Sequence, residues 1–197
     1  MDDSQLVGRV LRASTTGYAC GTRSSDISVP SFGAFVQTEH EGGGLRIIGL
    51  IYAIQIDDDP LVRQLIMANS LTPAAIRDQR ENRMIPIEIE VVNVGYLWHG
   101  ETYHNLPPRP PLSLDPVYLC DAETVRTFTD NVDFFRLILN TGEVPAEELL
   151  AAAVKHAASA RPPRDQRDFL VRAGRRLAQL LSQDLTRLNH LLNLIRP

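Results

Sequence analysis

Apolar residues recur with a period of two through roughly the first 120 positions and with a helical period after them, so the chain reads as strands followed by helices. Gln5–Ser14 is the first expected strand, and Gly8 inside it marks a bulge or a close approach by another backbone. Tyr18–Thr22 is a short second strand and Phe32–Thr38 a third. Gly42–Gly44 turn the chain back into residues 45–56, whose two interleaved rows are both apolar at the start, a sign of cover on both faces. Gly49 is expected to bend that strand, a device by which small barrels close. Asp59-Pro60 and Thr72-Pro73 each place a capping residue before a first-turn proline, and predict helices over 60–68 and from 73 to about 82. In residues 84–97, Ile85, Ile87, Ile89 and Val91 alternate with Pro86, Glu88, Glu90 and Val92, the pattern of a half-buried antiparallel strand whose proline points to an edge position at its start. Residues 96–101 read as a turn. Residues 106–116 hold five prolines, cannot pair centrally in a sheet, and are expected to track across a barrel mouth before a closing strand at Val117–Leu119.

Beyond Asp121, a natural N-cap, the period is helical. Helices are expected around Val125 and Phe128, over 132–139 and over 145–159, the last with Glu147 and Glu148 in its first turn. Arg161-Pro162-Pro163 breaks the chain. A single long helix is then expected over 164–195, with Leu170, Ala173, Leu177, Leu181, Leu188, Leu191 and Ile195 in one apolar stripe and arginines behind it. The stripe should pack on the preceding helices or on a second copy of itself. The fold class expected is α+β: a small antiparallel β-barrel over residues 1–120, with a helical insertion at about 60–82, followed by a helical C-terminal region over residues 121–197.

Charge sharpens this division. Residues 1–154 hold 11 arginines and 21 acidic residues, a balance of −10, and residues 155–197 hold nine basic residues and three aspartates, a balance of +6. Halves so opposed either do different work or neutralise each other on contact. Lys155 is the sole lysine and lies within a helical pattern, which argues against lysine-based catalysis. Cys20 and Cys120 form neither a disulfide framework nor a metal cluster, and buried thiols in a reducing compartment are expected. No apolar run reaches the 18–20 residues or so of a membrane span, and the acidic start MDDSQ is not followed by the apolar core of a signal peptide. A cytoplasmic location, without membrane contact, is the expectation.

The strand succession GRVLRAS (8–14), FGAFVQTE (32–39) and IIGLIYAIQID (47–57), a helical insertion, and the proline-rich exit PPRPPLSLDPVYL (107–119) together resemble the HAS-barrel. That is the small β-barrel at the N-terminus of HerA-type DNA-translocating ATPases and, in related form, of rotary ATP synthase subunits. The resemblance covers roughly residues 5–120. It implies a non-catalytic barrel that helps ring assembly or docks a nuclease of the NurA type. The chain departs from the HerA pattern in having no G-x-x-x-x-G-K-[ST] phosphate loop; Gly42–Gly44 run into Leu45-Arg46, with no lysine to reach a phosphate.

Candidate chemistry is sparse. His99, Glu101 and His104 sit in a turn without the H-E-x-x-H spacing of a zinc site or a fourth ligand. Asp57–Asp59 lack the spacing of a calcium loop, and capping accounts for them. Glu88 and Glu90 share one strand face at about 7 Å, compatible with acid–base work but also with a solvated face. His40, His156 and His190 are isolated. The arginines Arg161, Arg164, Arg167, Arg172, Arg175 and Arg176 are the candidate contacts to nucleic acid or a partner, against the plainer reading of a solvated helix back or an ion-pairing surface for the acidic half. The expected protein is thus a non-catalytic interaction module without cofactor or metal, docking a protein partner or self-associating through its C-terminal helices. The alternative is an accessory of a HerA/NurA-type DNA-processing system with weak DNA contact through the arginines.

Overall fold

The computed structural model describes residues 6–24, 30–39, 44–56, 67, 85–142 and 144–196. Seven strands are present among the described residues: β1 (Leu6–Ala13), β2 (Gly17–Ser24), β3 (Phe35–Glu39), β4 (Leu45–Ile56), β5 (Ile85–Trp98), β6 (Glu101–Tyr103) and β7 (Pro116–Leu119). Six of them close into an antiparallel barrel in the ring order β1-β7-β3-β4-β5-β2, because β5 pairs with both β4 and β2; β6 adds to the far end of β5. The barrel followed by helices is the expected α+β class. Apart from Met67, the helices expected over 60–68 and 73–82 lie outside the described residues, as do Asp57–Asp59 and His40.

The alternation read from the sequence sets which side chains fill the barrel. Val7, Val10, Tyr18, Cys20, Val36, Ile51, Ile87, Ile89, Val91 and Val117 pack inside it. Bulges fall where closure needs them: the β4–β5 register shifts at Ile48/Gly49 and at Ile51/Ala53, and the β1–β7 register at Leu6/Gly8. Gly8 also meets the expectation of a close backbone, since a Cβ there would stand 2.6 Å from the carbonyl oxygen of Gly21. The β4 ladder ends at the Ile56–Ile87 pair, one residue before Pro86, while β2 pairs through the proline.

The expected turn over 96–101 is narrower than its sequence range. His99 and Gly100 stand at φ +50 and +84, the two positive values of a type I′ hairpin, and β6 follows at once. Tyr96 and Tyr103 stack across this hairpin with ring centroids 4.8 Å apart. The proline-rich stretch then links β6, beside β5, to β7, which stands opposite β5 in the ring. It therefore spans that end of the barrel, with Pro107 and Pro111 buried.

Five helices follow: α1 (Ala122–Phe128), α2 (Phe135–Leu139), α3 (Ala146–Ser159), α4 (Pro163–Leu180) and α5 (Leu185–Ile195). Asp121 caps α1 as expected, its Oδ1 accepting from the Thr124 N–H at 2.7 Å. The single long terminal helix expected over 164–195 is corrected to α4 and α5, broken at residues 181–184, where Asp184 caps the new helix by accepting from the Arg187 N–H at 3.0 Å. The physical reason is length: an unbroken helix would run roughly 48 Å, while α3, on which the stripe packs, runs about 21 Å. The break lets both halves return to α3.

α3 is buried on nearly every side because it lies between the barrel wall and the α4–α5 layer. Leu149, Leu150, Ala153, Val154 and Ala157 share one core with Phe35, Ile48, Leu50, Val92 and Val94 of the strands and with Phe169, Leu177, Leu188 and Leu191 of the outer helices. Its alanines permit this close stacking. At Gly33 (φ +78) a Cβ would meet the Ala152 Cβ at 2.4 Å, so glycine is required both by the turn and by the helix above it. The third strand consequently begins at Phe35 and not at Phe32. The tail folds over its own barrel, and its apolar stripe is used within the chain.

Candidate functional site

The six candidate arginines are divided by the fold. Arg161 is buried, 7% exposed. Its guanidinium donates to the Ala157 carbonyl at 2.7 Å and to the Thr129 carbonyl at 3.1 Å, lies 3.9 Å over the Phe169 ring, and has Asp130 at 3.7 Å. Burial pulls its pKa down, partly offset by Asp130. The Ala157 carbonyl belongs to the last turn of α3, where main-chain acceptors run out of helical donors. Arg126 serves the same terminus, donating to the Ala160 carbonyl at 2.9 Å. Arg161 is thus a clamp joining α1, α3 and α4.

Arg172 donates to the Asp130 carbonyl at 3.3 Å, and Arg176 pairs with Asp133 at 2.8 Å. Both hold the α1–α2 connection against α4. Arg164, Arg167 and Arg175 are exposed on the outer side of α4 beside the exposed Val171. Among the described residues, Arg164 has only its neighbour Asp165 at 3.6 Å, and Arg167 and Arg175 form no ion pair. Three of the six are therefore free to meet a ligand, and three are occupied by the protein itself.

Glu88 and Glu90 both accept from Arg12, a residue the sequence reading passed over. Arg12 is on β1, the glutamates on β5, and β2 lies between; the registers Arg12–Ala19, Ala19–Glu90 and Gly21–Glu88 place them in adjoining rows. The outward positions of β2 are Gly17, Ala19 and Gly21, so a guanidinium can lie flat across the strand and span roughly 10 Å, two strand spacings. The Gly-x-Ala-x-Gly alternation was the available signal. The guanidinium fills the space between the carboxylates where a substrate for acid–base work would sit. A cleft of about 290 Å³ lies alongside, lined by Arg12, Ser14, Thr16, Tyr52, Glu90 and Thr141 among others.

The remaining candidates disperse. His99 stacks on the exposed Trp98 at 5.0 Å, at the hairpin tip. His104 instead turns to the helices: its Nε2 lies 2.9 Å from the Phe128 carbonyl oxygen, and its ring packs on Phe128 and Phe134. Burial lowers the pKa of His104 and of His156, whose ring meets Phe35 at 5.8 Å. Burial pushes the Cys20 thiol up to about 12 and the Cys120 thiol higher still, so both are inert packing groups at neutral pH. No cluster of three or more His, Cys, Asp or Glu side chains able to hold a metal occurs among the described residues, and none of the described helices is long and apolar enough to cross a membrane.

No protein-family model matches the sequence, and no curated protein matches it either.

Proposed function

We propose that this protein is a non-catalytic assembly module of the cytoplasm, a HAS-like barrel that docks a protein partner. The observation that carries the reading is how the barrel's surfaces are used. Its interior is filled by its own side chains, and its β3–β4–β5 wall is covered by its own helices. Among the described residues, the wall of β1, β2 and β7 contributes none to that helical core, and β1 and the approach to β7 carry the exposed leucines Leu6, Leu11, Leu112 and Leu114. A surface of this kind on an otherwise well-packed chain fits a partner better than a substrate. The test is sedimentation velocity of the full chain, alone at high micromolar concentration and mixed with each protein encoded beside it. A stoichiometric complex supports docking; a strict monomer in every mixture overturns it.

A second reading, an accessory of a HerA/NurA-type DNA-processing system, is favoured by the exposed Arg164, Arg167 and Arg175 on one side of α4, of which only Arg164 has an ion-pair partner among the described residues, its neighbour Asp165. Duplex binding at low salt that is lost on replacing these three by alanine supports it. No binding at low salt removes direct DNA contact.

A further inference from the structure

If the module docks a partner, as proposed above, the fold shows where. Three local devices turn leucines outward at one end of β1. A register shift between Val10 and Arg12 leaves Leu11 on the outer face, 50% exposed. The turn at residues 112–115 is pinned to the same place: the Leu114 N–H donates to the Val10 carbonyl at 2.8 Å, and the Val10 N–H donates to the Asp115 carbonyl at 3.0 Å. The Leu112 N–H donates to Asp115 Oδ2 at 2.8 Å, and Arg9 donates to the Leu114 carbonyl at 2.9 Å. In this turn Leu112 is 55% exposed, and Leu114 is 68% exposed at φ +73.

A bulky side chain in the left-handed region is disfavoured, and glycine or asparagine would relieve it. Folding gains little from a leucine held there in water, so the residue is better explained by what it displays. The surroundings give the sign of the partner. Arg9, whose guanidinium reaches the Leu114 carbonyl, and Arg109, three positions before Leu112 in the chain, are both exposed, and neither forms an ion pair among the described residues. Arg12, also on β1, is already bonded to Glu88 and Glu90. Three leucines make a patch well below the area each partner buries in a stable dimer, which favours a short segment over a second copy of the chain.

We propose that Leu11, Leu112 and Leu114 form the docking surface and that it takes an acidic peptide segment carrying large apolar side chains, its carboxylates meeting Arg9 and Arg109. The experiment selects random short peptides displayed on phage against the full chain, then titrates the enriched peptides against wild type, Leu114→Gly and the Leu112→Ser, Leu114→Gly double variant. The expected result is enrichment of Asp or Glu together with Leu, Phe or Trp, with affinity at least tenfold weaker in the double variant. The thermal midpoint of Leu114→Gly should hold or rise, which separates lost contact from lost fold. Enriched peptides that bind both variants as well as wild type overturn this surface while leaving the docking reading intact. Enriched peptides that are basic overturn the partner's chemistry. A wild-type dimer that Leu114→Gly dissociates makes the occupant a second copy and overturns the acidic segment. No enriched peptide at all overturns the acidic segment at this surface, while the docking reading stands or falls on the sedimentation mixtures.

Discussion

Replacing Arg161 by alanine separates a structural arginine from a ligand-binding one. The substitution removes three hydrogen bonds from a charged donor, at 2.7, 3.1 and 3.4 Å, to the carbonyls of Ala157, Thr129 and Arg126, the first two residues fully buried. Bonds to charged groups contribute about 1.5–3 kcal/mol each, and the stacking on Phe169 adds about 1 kcal/mol or more in a desolvated setting. The pair with Asp130 adds little, because that side chain is 76% exposed. These terms share one side chain and do not add, so the expected loss is about 3–5 kcal/mol, a large part of the usual 5–15 kcal/mol of a folded domain. Urea unfolding measures it, with an unchanged m-value as the sign that the same two states are compared. Arg161→Lys keeps the charge but neither the planar stack nor the reach to all three carbonyls, and should recover about half. Arg161→Met keeps the packing over Phe169; if it restores full stability, packing and not the clamp is what matters. Arg167→Ala should change stability by no more than about 0.5 kcal/mol. A loss under about 1 kcal/mol in Arg161→Ala would refute the clamp and return Arg161 to the candidate ligand contacts.

Tyr18→Phe should leave stability unchanged or raise it by up to about 1 kcal/mol, because the buried hydroxyl has no partner among the described residues; a clear loss by urea titration would show that it is bonded. Gly33→Ala should cost about 2–4 kcal/mol, since it combines φ +78 with a Cβ 2.4 Å from that of Ala152; a thermal midpoint within a degree of wild type would contradict the close stacking of α3. Burial lowers the pKa of His104 and His156 in the folded state, so the unfolded chain binds protons first, and stability is full above about pH 6.5 and falls as pH drops through the folded values. Urea midpoints between pH 7.5 and 5 should show this fall, and a His104→Asn, His156→Phe variant should flatten it.

Period-two alternation made the barrel readable. Ile87, Ile89 and Val91 point inward and Glu88 and Glu90 outward, as the sequence pattern has them. β6 was missed because three residues are too short to show a period, and its evidence is the His99–Gly100 turn that joins it to β5. The break at 181–184 was missed because the leucine stripe continues in phase through it; what breaks the helix is the finite length of α3, a tertiary fact. The Arg12 bridge needed the knowledge that β2 separates β1 from β5, which topology supplies and local pattern does not. Arg161 and Arg164 look alike in a charge tally. They differ because Phe169 and three carbonyls meet one, while the other is exposed with only the neighbouring Asp165 beside it.

The opposed charges of the two halves are in part resolved by contact. Arg161 with Asp130, Arg176 with Asp133 and Arg187 with Glu147 all join the basic tail to the acidic part of the chain. A nucleic acid would therefore meet far less positive charge than residues 155–197 carry in sequence. For a contact made by the six candidate arginines alone, with Arg164, Arg167 and Arg175 the ones available, counterion release gives a slope of log K against log salt of about −3, where all six would give about −5. Asp165 and Asp168 on the same helix reduce the attraction further. Filter binding to a duplex across 25–200 mM salt measures the slope. A value near −5 would require Arg161, Arg172 and Arg176 to leave their carbonyls and carboxylates, and stability would have to fall with them. A slope of −3 or shallower, abolished in the Arg164→Ala, Arg167→Ala, Arg175→Ala variant at unchanged stability, is what this fold predicts for a DNA contact made through α4.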